Sequence, residues 1–314
     1  MTPKNENLMR TDEDRRSGID RRLAPERSDQ VATGPAHFDE LEFVEISTDQ
    51  PVALGEVLVQ FGFGLVGRHR WRDMLLYRQG RINIVVRVVQ TAPQSDSSRL
   101  EGTFVSGIGL KVRDARAIYH NVLTNGSWRM PDRAEVMELH IPSIMGPGAC
   151  RIFFVESDSK FSIYDVDYKP IDDAQQNPPA LVSNQVFGLA IQVRPDQASQ
   201  WQDFFSKLLD AQEAPANFNP SCSEKILALQ SKDKQSTLML KLTTSHQKDA
   251  GEGVKCICLA VSDLHQTMNL LVERGVEFAG AEAVLTDQGR HYIAKTKPYL
   301  GSFCFDLIHS PGAH

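Results

Sequence analysis

The sequence lacks an excess of basic residues, a long apolar run and an even number of cysteines, and each absence excludes a class of protein. Its 314 residues include 34 Lys and Arg against 40 Asp and Glu, a formal net charge of −6. An acidic chain gains little from the counterion release that drives nucleic-acid binding, so we expect no nucleic-acid partner. No run approaches the ~18 apolar residues of a membrane helix, and the N-terminus lacks the apolar stretch of a signal peptide. Five cysteines, an odd count, argue against a disulfide framework, so we expect a cytoplasmic protein without a membrane partner.

Residues 1–36 differ in composition from the rest of the chain. They hold seven basic and seven acidic side chains and few apolar ones. So little apolar area cannot offset the entropy of ordering the chain, and we predict a disordered, charged tail. Two roles stay open for it, an inert solvated tail or a docking peptide for a partner.

From residue 41 onward one pattern occurs four times. A short apolar strand leads through a polar turn into an amphipathic helix, and further strands follow. These further strands are predicted at 82–89, 150–155, 161–168, 237–242 and 303–308. The first strands of the four units are at 41–46, 107–112, 187–193 and 256–261, with helices over 52–61, 114–124, 196–209 and 263–274. One βαβββ unit cannot cover both faces of its sheet, so the units are expected to pair within each half. We predict an α+β fold with an N-terminal domain at 37–171, a linker at 172–183 and a C-terminal domain at 184–314, each a curved mixed sheet with its helices outside.

The fourth helix illustrates the local signals. Asp263 can cap its first turn, and Gly275 supplies a stop after its last turn. Apolar or small side chains recur at the spacing of one buried helix face. This predicted face consists of Leu264, Thr267, Met268, Leu271 and Val272.

Several segments resemble 4-hydroxyphenylpyruvate dioxygenases, members of the vicinal-oxygen-chelate superfamily that includes glyoxalases. The matching words lie in both halves and in the same order along the chain, so the resemblance covers essentially residues 38–310. In the N-terminal half they are 42–45, 62–63, 68–70, 76–83, 140–142, 146–148 and 162–168; in the C-terminal half they are 251–257 and 296–306. The resemblance implies two domains of paired βαβββ units. It also implies a C-terminal helix that covers the active site, but the chain ends at His314 and is predicted to lack this lid helix.

The resemblance further implies an Fe(II) site made by two histidines and one carboxylate, which leaves positions open for a 2-oxo acid and oxygen. The matching positions in this sequence are Gly188, Cys256 and Asp306. Glycine has no side chain to donate, Cys256 replaces an imidazole, and Asp306 is one methylene shorter than the usual glutamate. We therefore predict a degenerate metal site in which only Cys256 and Asp306 can serve as ligands.

Cysteines suggest a second interpretation of the same region. Cys256 and Cys258 alternate on one strand and face one side, as do Cys304 and Asp306 on another. If the strands are neighbours, three sulfurs and a carboxylate point into one cup, a set that suits Zn. The alternative is that these cysteines simply pack as small apolar residues.

The histidines offer no replacement for the missing ligands. His246, His265 and His291 are predicted to be solvated, while the resemblance implies structural roles for His69 and His140. Arg68, His69 and Arg70 beside Trp71 could form an anion-binding patch or a half-exposed strand.

Three functional hypotheses follow. The favoured one is a non-catalytic homologue that binds a small molecule, such as an aromatic 2-oxo acid, or a protein partner, with no cofactor. The second is an active Fe(II) dioxygenase of an aromatic 2-oxo acid. The third is a vicinal-oxygen-chelate enzyme that uses another metal such as Zn. The oligomeric state and the choice between the two cups stay open.

Overall fold

The structure, a computed structural model, contains two eight-stranded mixed sheets. It describes residues 37–89, 102–127, 129–130, 139–214, 225–245, 251–286, 289–301 and 303–309. The predicted tail at 1–36 lies outside these residues. The first sheet has the order β6-β7-β5-β1-β4-β3-β2-β8. Its strands are β1 (Phe38–Thr48), β2 (Gly64–His69), β3 (Met74–Gln79), β4 (Ile82–Val88), β5 (Phe104–Val112), β6 (Ser143–Met145), β7 (Arg151–Glu156) and β8 (Tyr168–Pro170).

The second sheet repeats this arrangement on the other side of the predicted linker. Its order is β10-β11-β12-β9-β13-β16-β15-β14. Its strands are β9 (Val186–Val193), β10 (Gln212–Glu213), β11 (Lys225–Gln230), β12 (Thr237–Thr244), β13 (Gly253–Val261), β14 (Phe278–Thr286), β15 (Gly289–Thr296) and β16 (Cys304–His309). The exact domain boundaries at the linker stay a prediction.

Units pair through their first strands. β1 runs antiparallel to β5, and β9 runs antiparallel to β13, at the centre of each sheet. Each first strand also has a parallel neighbour that ends its own unit: β4 beside β1, β7 beside β5, β12 beside β9 and β16 beside β13. This pairing confirms the predicted α+β class and the vicinal-oxygen-chelate architecture.

The helices begin and end close to where the local signals place them. They are α1 (Pro51–Gln60), α2 (Ala115–Thr124), α3 (Ile163–Asp167), α4 (Ala198–Leu209) and α5 (Leu264–Glu273), with a 3₁₀ turn at Pro147–Ala149. Asp263 accepts a hydrogen bond from the Gln266 amide, and Gly275 has a φ of 89°, as a cap and a stop require. Among the described residues, no helix has the length and apolar character needed to cross a membrane.

Two local predictions were wrong. Residues 161–168 were expected to form a strand, but the Ser162 hydroxyl accepts from the Tyr164 amide and starts the short helix α3, after which β8 pairs with β2. Val272 was expected on the buried face of α5 and is 58% exposed, whereas Leu271 is fully buried. At about 100° per residue, Val272 lies roughly 90° away from the centre of the face that Leu264 and Leu271 share.

Gln79 holds the end of the predicted linker against the first sheet. Its side chain is fully buried, and its amide nitrogen donates to the Phe61 carbonyl at 3.0 Å. Its oxygen accepts from the amides of Leu181 at 2.8 Å and Val182 at 2.6 Å. Nearby, the rings of Phe61 and Phe305 lie 4.5 Å apart, so one apolar core joins the two sheets.

Candidate functional site

The positions matched to metal ligands lie on three neighbouring strands of the second sheet. β9, β13 and β16 are adjacent, and their register forms two cross-strand rows. We call the face that carries these rows the C-terminal cup. The first row contains Met239, Gly188, Cys258, Asp306 and Lys295, and the second contains Lys241, Ala190, Cys256 and Cys304.

Side chains of both rows meet at the centre of the C-terminal cup. The Sγ atoms of Cys256 and Cys258 and a carboxylate oxygen of Asp306 all lie within 4.8 Å of one another. The Cys304 Sγ lies 3.9 Å from Asp306 Oδ1. Cys256 is 4% exposed and Cys258 is 8% exposed. Two of the three predicted sulfurs thus converge with the carboxylate, and the third, that of Cys304, lies next to Asp306. Metal binding by Cys256 and Asp306 stays a prediction.

Burial controls the protonation of this cluster. Burial raises the pKa of the Cys256 thiol well above its ordinary value, and the neighbouring Cys258, Cys304 and Asp306 raise it further. Burial also raises the pKa of Asp306 from its ordinary value of 3.8. A hydrogen bond from Cys256 and the charges of Lys295 and Lys241 oppose that rise. The cup thus combines a Cys256 thiol that favours the neutral form with an Asp306 carboxylate that two lysines partly stabilise.

Gly188 occupies a place without room for any side chain. A Cβ atom at this position would lie 2.5 Å from the backbone oxygen of Met239 and 2.9 Å from its Cβ. The nearest obstacle is backbone of the paired strand β12, which cannot rotate away as a flexible side chain could. An imidazole at residue 188 would require β12 to move.

The described residues do not fit the Fe(II) site that the resemblance implies. Of the three matched positions, only Cys256 and Asp306 carry donor atoms, and neither is an imidazole. His265 is exposed, as predicted, and its ring nitrogen lies 3.2 Å from the Asn269 side chain. His246 and the side chain of His291 lie outside what the structure describes.

The equivalent face of the first sheet, which we call the N-terminal cup, is filled by aromatic rings. Phe43 and Phe153 occupy the places that correspond to Gly188 and Asp306, with ring centroids 5.5 Å apart. A Cβ at Gly109 would lie 2.5 Å from the Phe43 ring, and one at Gly107 would lie 2.8 Å from the Phe153 ring. Gly107 and Gly109 leave room for the two rings. The N-terminal cup is therefore filled by aromatic side chains at the places where the C-terminal cup carries sulfur and oxygen donors.

A charged group beside these rings was missed by sequence analysis. Glu45 is 3% exposed and makes a bidentate pair with Arg87, at 3.1 Å to Nε and 2.8 Å to Nη2, and it accepts from the Ser106 hydroxyl at 2.8 Å. The sequence shows an acid in the predicted strand 41–46 and a base in the predicted strand 82–89, and these two strands are neighbours in the sheet. Glu45 and Arg87 line a cleft of about 70 Å³, together with His69 and Arg151.

The histidine and arginines of the predicted anion patch serve local structure. His69 Nδ1 accepts from the amides of Trp71 at 3.3 Å and Arg72 at 3.2 Å. Arg70 Nε donates to the Val166 carbonyl at 2.8 Å. The structural role implied for His69 is in keeping with these bonds. Anion binding by this segment and the role of His140, which is exposed, stay predictions.

Comparison with known proteins gives matches along most of the chain. Residues 33–169 match a family model described as hydroxyphenylpyruvate dioxygenase, HPPD, N-terminal. Hemolysin VllY of Vibrio vulnificus is 28% identical over 269 residues, 79% of this chain and 73% of that protein. A 4-hydroxyphenylpyruvate dioxygenase of Pseudomonas aeruginosa is 24% identical over 261 residues, 78% of this chain and 72% of that protein. A solved xylose isomerase-like TIM barrel/4-hydroxyphenylpyruvate dioxygenase fusion protein has a TM-score of 0.71 and 20% identity; the match covers 89% of this chain and 50% of that one.

The two sheets of paired units, together with the structural match, show the two-domain vicinal-oxygen-chelate fold. The family model and the related dioxygenase identify the proteins of this fold that the chain resembles. The chain is similar to 4-hydroxyphenylpyruvate dioxygenases: residues 33–169 match the N-terminal family model, and the related dioxygenase is 24% identical over 261 residues. What its relatives catalyse is a property of those proteins, because a likeness at this level of identity does not carry a reaction to a site with different donors.

Proposed function

We propose that this protein binds a small organic anion in its C-terminal cup and does not catalyse Fe(II)-dependent dioxygenation. The observation that carries the proposal is Gly188, whose missing side chain removes one ligand and whose space is taken by the Met239 backbone. Cys256 at the second histidine position removes the other imidazole. Two nitrogen ligands of the three-ligand set are thus absent, which leaves too few donors of the right type for a ferrous oxygenase site.

The charge of the cup supports an anionic ligand. Lys241 and Lys295 stand at the ends of the two rows, on either side of the thiols, and their charges act on Asp306. Two ammonium groups on either side of this partly buried cluster favour a carboxylate over a neutral or cationic molecule. An aromatic 2-oxo acid, the substrate class suggested by the resemblance, is the ligand we propose.

Oxygen consumption tests the loss of catalysis. Full-length protein is supplied with excess Fe(II), ascorbate and 4-hydroxyphenylpyruvate while oxygen is followed with an electrode. We expect no uptake above the rate of the same mixture without protein. Protein-dependent uptake with matching loss of the 2-oxo acid would establish the active dioxygenase and overturn the proposal.

Calorimetry on metal-free protein tests ligand binding separately. 4-Hydroxyphenylpyruvate is expected to bind, and Lys241→Ala and Lys295→Ala are each expected to weaken binding by about fivefold or more, the loss of ~1 kcal/mol or more from one charge contact. Lys225→Ala is the matched control, because Lys225 is exposed at the sheet edge and pairs with Glu213. No binding, or equal binding by all variants, would overturn the small-molecule proposal and favour a protein partner.

We also propose the cytoplasm as the compartment. The four described cysteines, Cys150, Cys256, Cys258 and Cys304, are free thiols. Three of them are close together, a state that a reducing environment preserves.

A further inference from the structure

Cys256 and Cys258 of the C-terminal cup are buried outside the two apolar clusters of the described residues, and Cys304 is partly buried. Ile257 and Leu259, on the opposite face of β13, belong to the main apolar cluster, as does Cys150 of the first sheet. Cys256 and Cys258 belong to neither apolar cluster found among the described residues, although both are buried. Packing as small apolar groups accounts for Cys150 and does not account for the pair in the cup.

We propose that Cys256, Cys258, Cys304 and Asp306 form a closed four-ligand site for a thiophilic divalent cation of the zinc type. Two of these residues, Cys258 and Cys304, lie outside the positions matched to the family's iron ligands. The site therefore has a different donor set and takes a different class of metal. The site does not require an organic anion in the cup, because neither Lys241 nor Lys295 is a metal ligand, although the charges of the same two lysines lie beside it.

The geometry is close to what a tetrahedral zinc site needs. Zn–S bonds of about 2.3 Å place two tetrahedral sulfur ligands roughly 3.8 Å apart. The donor atoms of Cys256, Cys258 and Asp306 now lie up to 4.8 Å apart, and those of Cys304 and Asp306 lie 3.9 Å apart. Rotation of the side chains would bring these atoms to the spacing of a zinc site. The backbone is already fixed, because Cys256 is paired with Cys304 and Cys258 with Asp306 across parallel strands.

Charge also balances in the proposed site. Three thiolates and one carboxylate carry four negative charges, and a divalent cation leaves two. Lys241 and Lys295, at the ends of the two rows, supply two positive charges next to the cluster. Binding sends the thiol protons to solvent, so it releases protons in proportion to the metal bound. Soft thiolate donors select zinc-type ions over a ferrous oxygenase centre.

Cobalt(II) titration of the reduced full-length protein tests the proposal. Co(II) reports its ligands through thiolate-to-metal charge-transfer absorption in the near ultraviolet and through intense visible bands when it is tetrahedral. We expect one equivalent of Co(II) to produce both, to release protons, and to be displaced stoichiometrically by Zn(II). Absence of the charge-transfer band, or no displacement by Zn(II), would overturn the proposal.

Variants separate the site from thiols elsewhere. Cys256→Ser, Cys258→Ser and Cys304→Ser are each expected to weaken Co(II) affinity by more than about 100-fold, since loss of a direct ligand exceeds the loss from an outer-shell partner. Cys150→Ser, which removes a buried thiol of the other sheet, is expected to bind like the unaltered protein. Far-ultraviolet circular dichroism confirms that each variant is folded before titration. Equal loss in Cys150→Ser, or full affinity in Cys304→Ser, would contradict the four-ligand site.

Discussion

Replacing Gly188 by alanine tests the central structural argument with a single methyl group. The added Cβ would lie 2.5 Å from the Met239 oxygen, 2.9 Å from its Cβ and 3.2 Å from its carbonyl carbon, and real Cβ atoms essentially never come closer than 3.0 Å. Because two of these atoms are backbone, β12 or β9 must shift to admit the methyl group. Overpacking of this kind costs about 1–3 kcal/mol of the free energy of unfolding.

Gly280→Ala provides the matched control. Gly280 also lies within a strand of the second sheet, β14, but no atom lies within 4 Å of its added Cβ. Alanine there reduces the conformational entropy of the unfolded chain and is expected to stabilise the protein by about 0.5–1 kcal/mol. The two variants should therefore differ by roughly 1.5–4 kcal/mol, which corresponds to about 3 °C or more in Tm.

Urea and thermal unfolding of both variants, followed by circular dichroism in the presence of a chelator, measure this difference. A Gly188→Ala variant as stable as Gly280→Ala would refute the argument, because it would show that residue 188 has room for a side chain. It would also mean that a histidine at residue 188 could restore the missing imidazole ligand.

Three further predictions concern buried polar groups. Asp306→Asn should stabilise the metal-free protein increasingly as pH rises from 4 to 7, because folding raises the pKa of Asp306 and the ionised carboxylate then disfavours the native state. Thermal unfolding at several pH values measures this, and a difference in Tm between variant and unaltered protein that does not change with pH would contradict it. Arg87→Ala should lower the free energy of unfolding by about 3–5 kcal/mol, because it leaves Glu45 buried without its cationic partner. The control Arg113→Ala, which removes a more exposed pair with Asp39 at 3.7 Å, should lower it by about 0.5 kcal/mol. Similar urea midpoints for the two variants would refute this prediction. Gln79→Met should lower the free energy of unfolding by at least about 2 kcal/mol, because the amides of Leu181 and Val182 lose their acceptor. An unchanged Tm would show that the end of the linker is held by other contacts.

Local signals predicted most helices and central strands. Asp114 and Asp263 accept from the amides of their first turns, as N-caps do, because capping depends only on residues three positions apart. Strand alternation likewise placed Cys256 and Cys258 on one face. The segment at 161–168 was mispredicted because its choice between a strand and a turn of helix depends on β2, whose free edge β8 covers. Edge pairing of that kind is a tertiary property that no short window contains.

The candidate site could be predicted in its chemistry and only partly in its geometry. Sequence resemblance located Gly188, Cys256 and Asp306, and alternation added Cys258 and Cys304. The sequence could not show that β13 and β16 pair with Cys258 opposite Asp306, because this register is set between segments about 50 residues apart. Nor could it show the approach of Met239 to Gly188, which arises only when β12 pairs with β9.

The crowding at Gly188 and the thiol cluster are two consequences of one change in donor geometry. A site of the family type draws its ligands from β9, β13 and β16, so it needs a side chain on β9. With glycine on β9 and the Met239 backbone against it, the donors come from β13 and β16 alone, whose direct pairing brings Cys256, Cys258, Cys304 and Asp306 together. Histidine at 188 and 256 with glutamate at 306 would therefore rebuild the ligand list without rebuilding the site, because the first imidazole would still meet the backbone of β12. Recovery of Fe(II)-dependent oxygen uptake in that triple variant is accordingly expected to fail unless β12 is also moved.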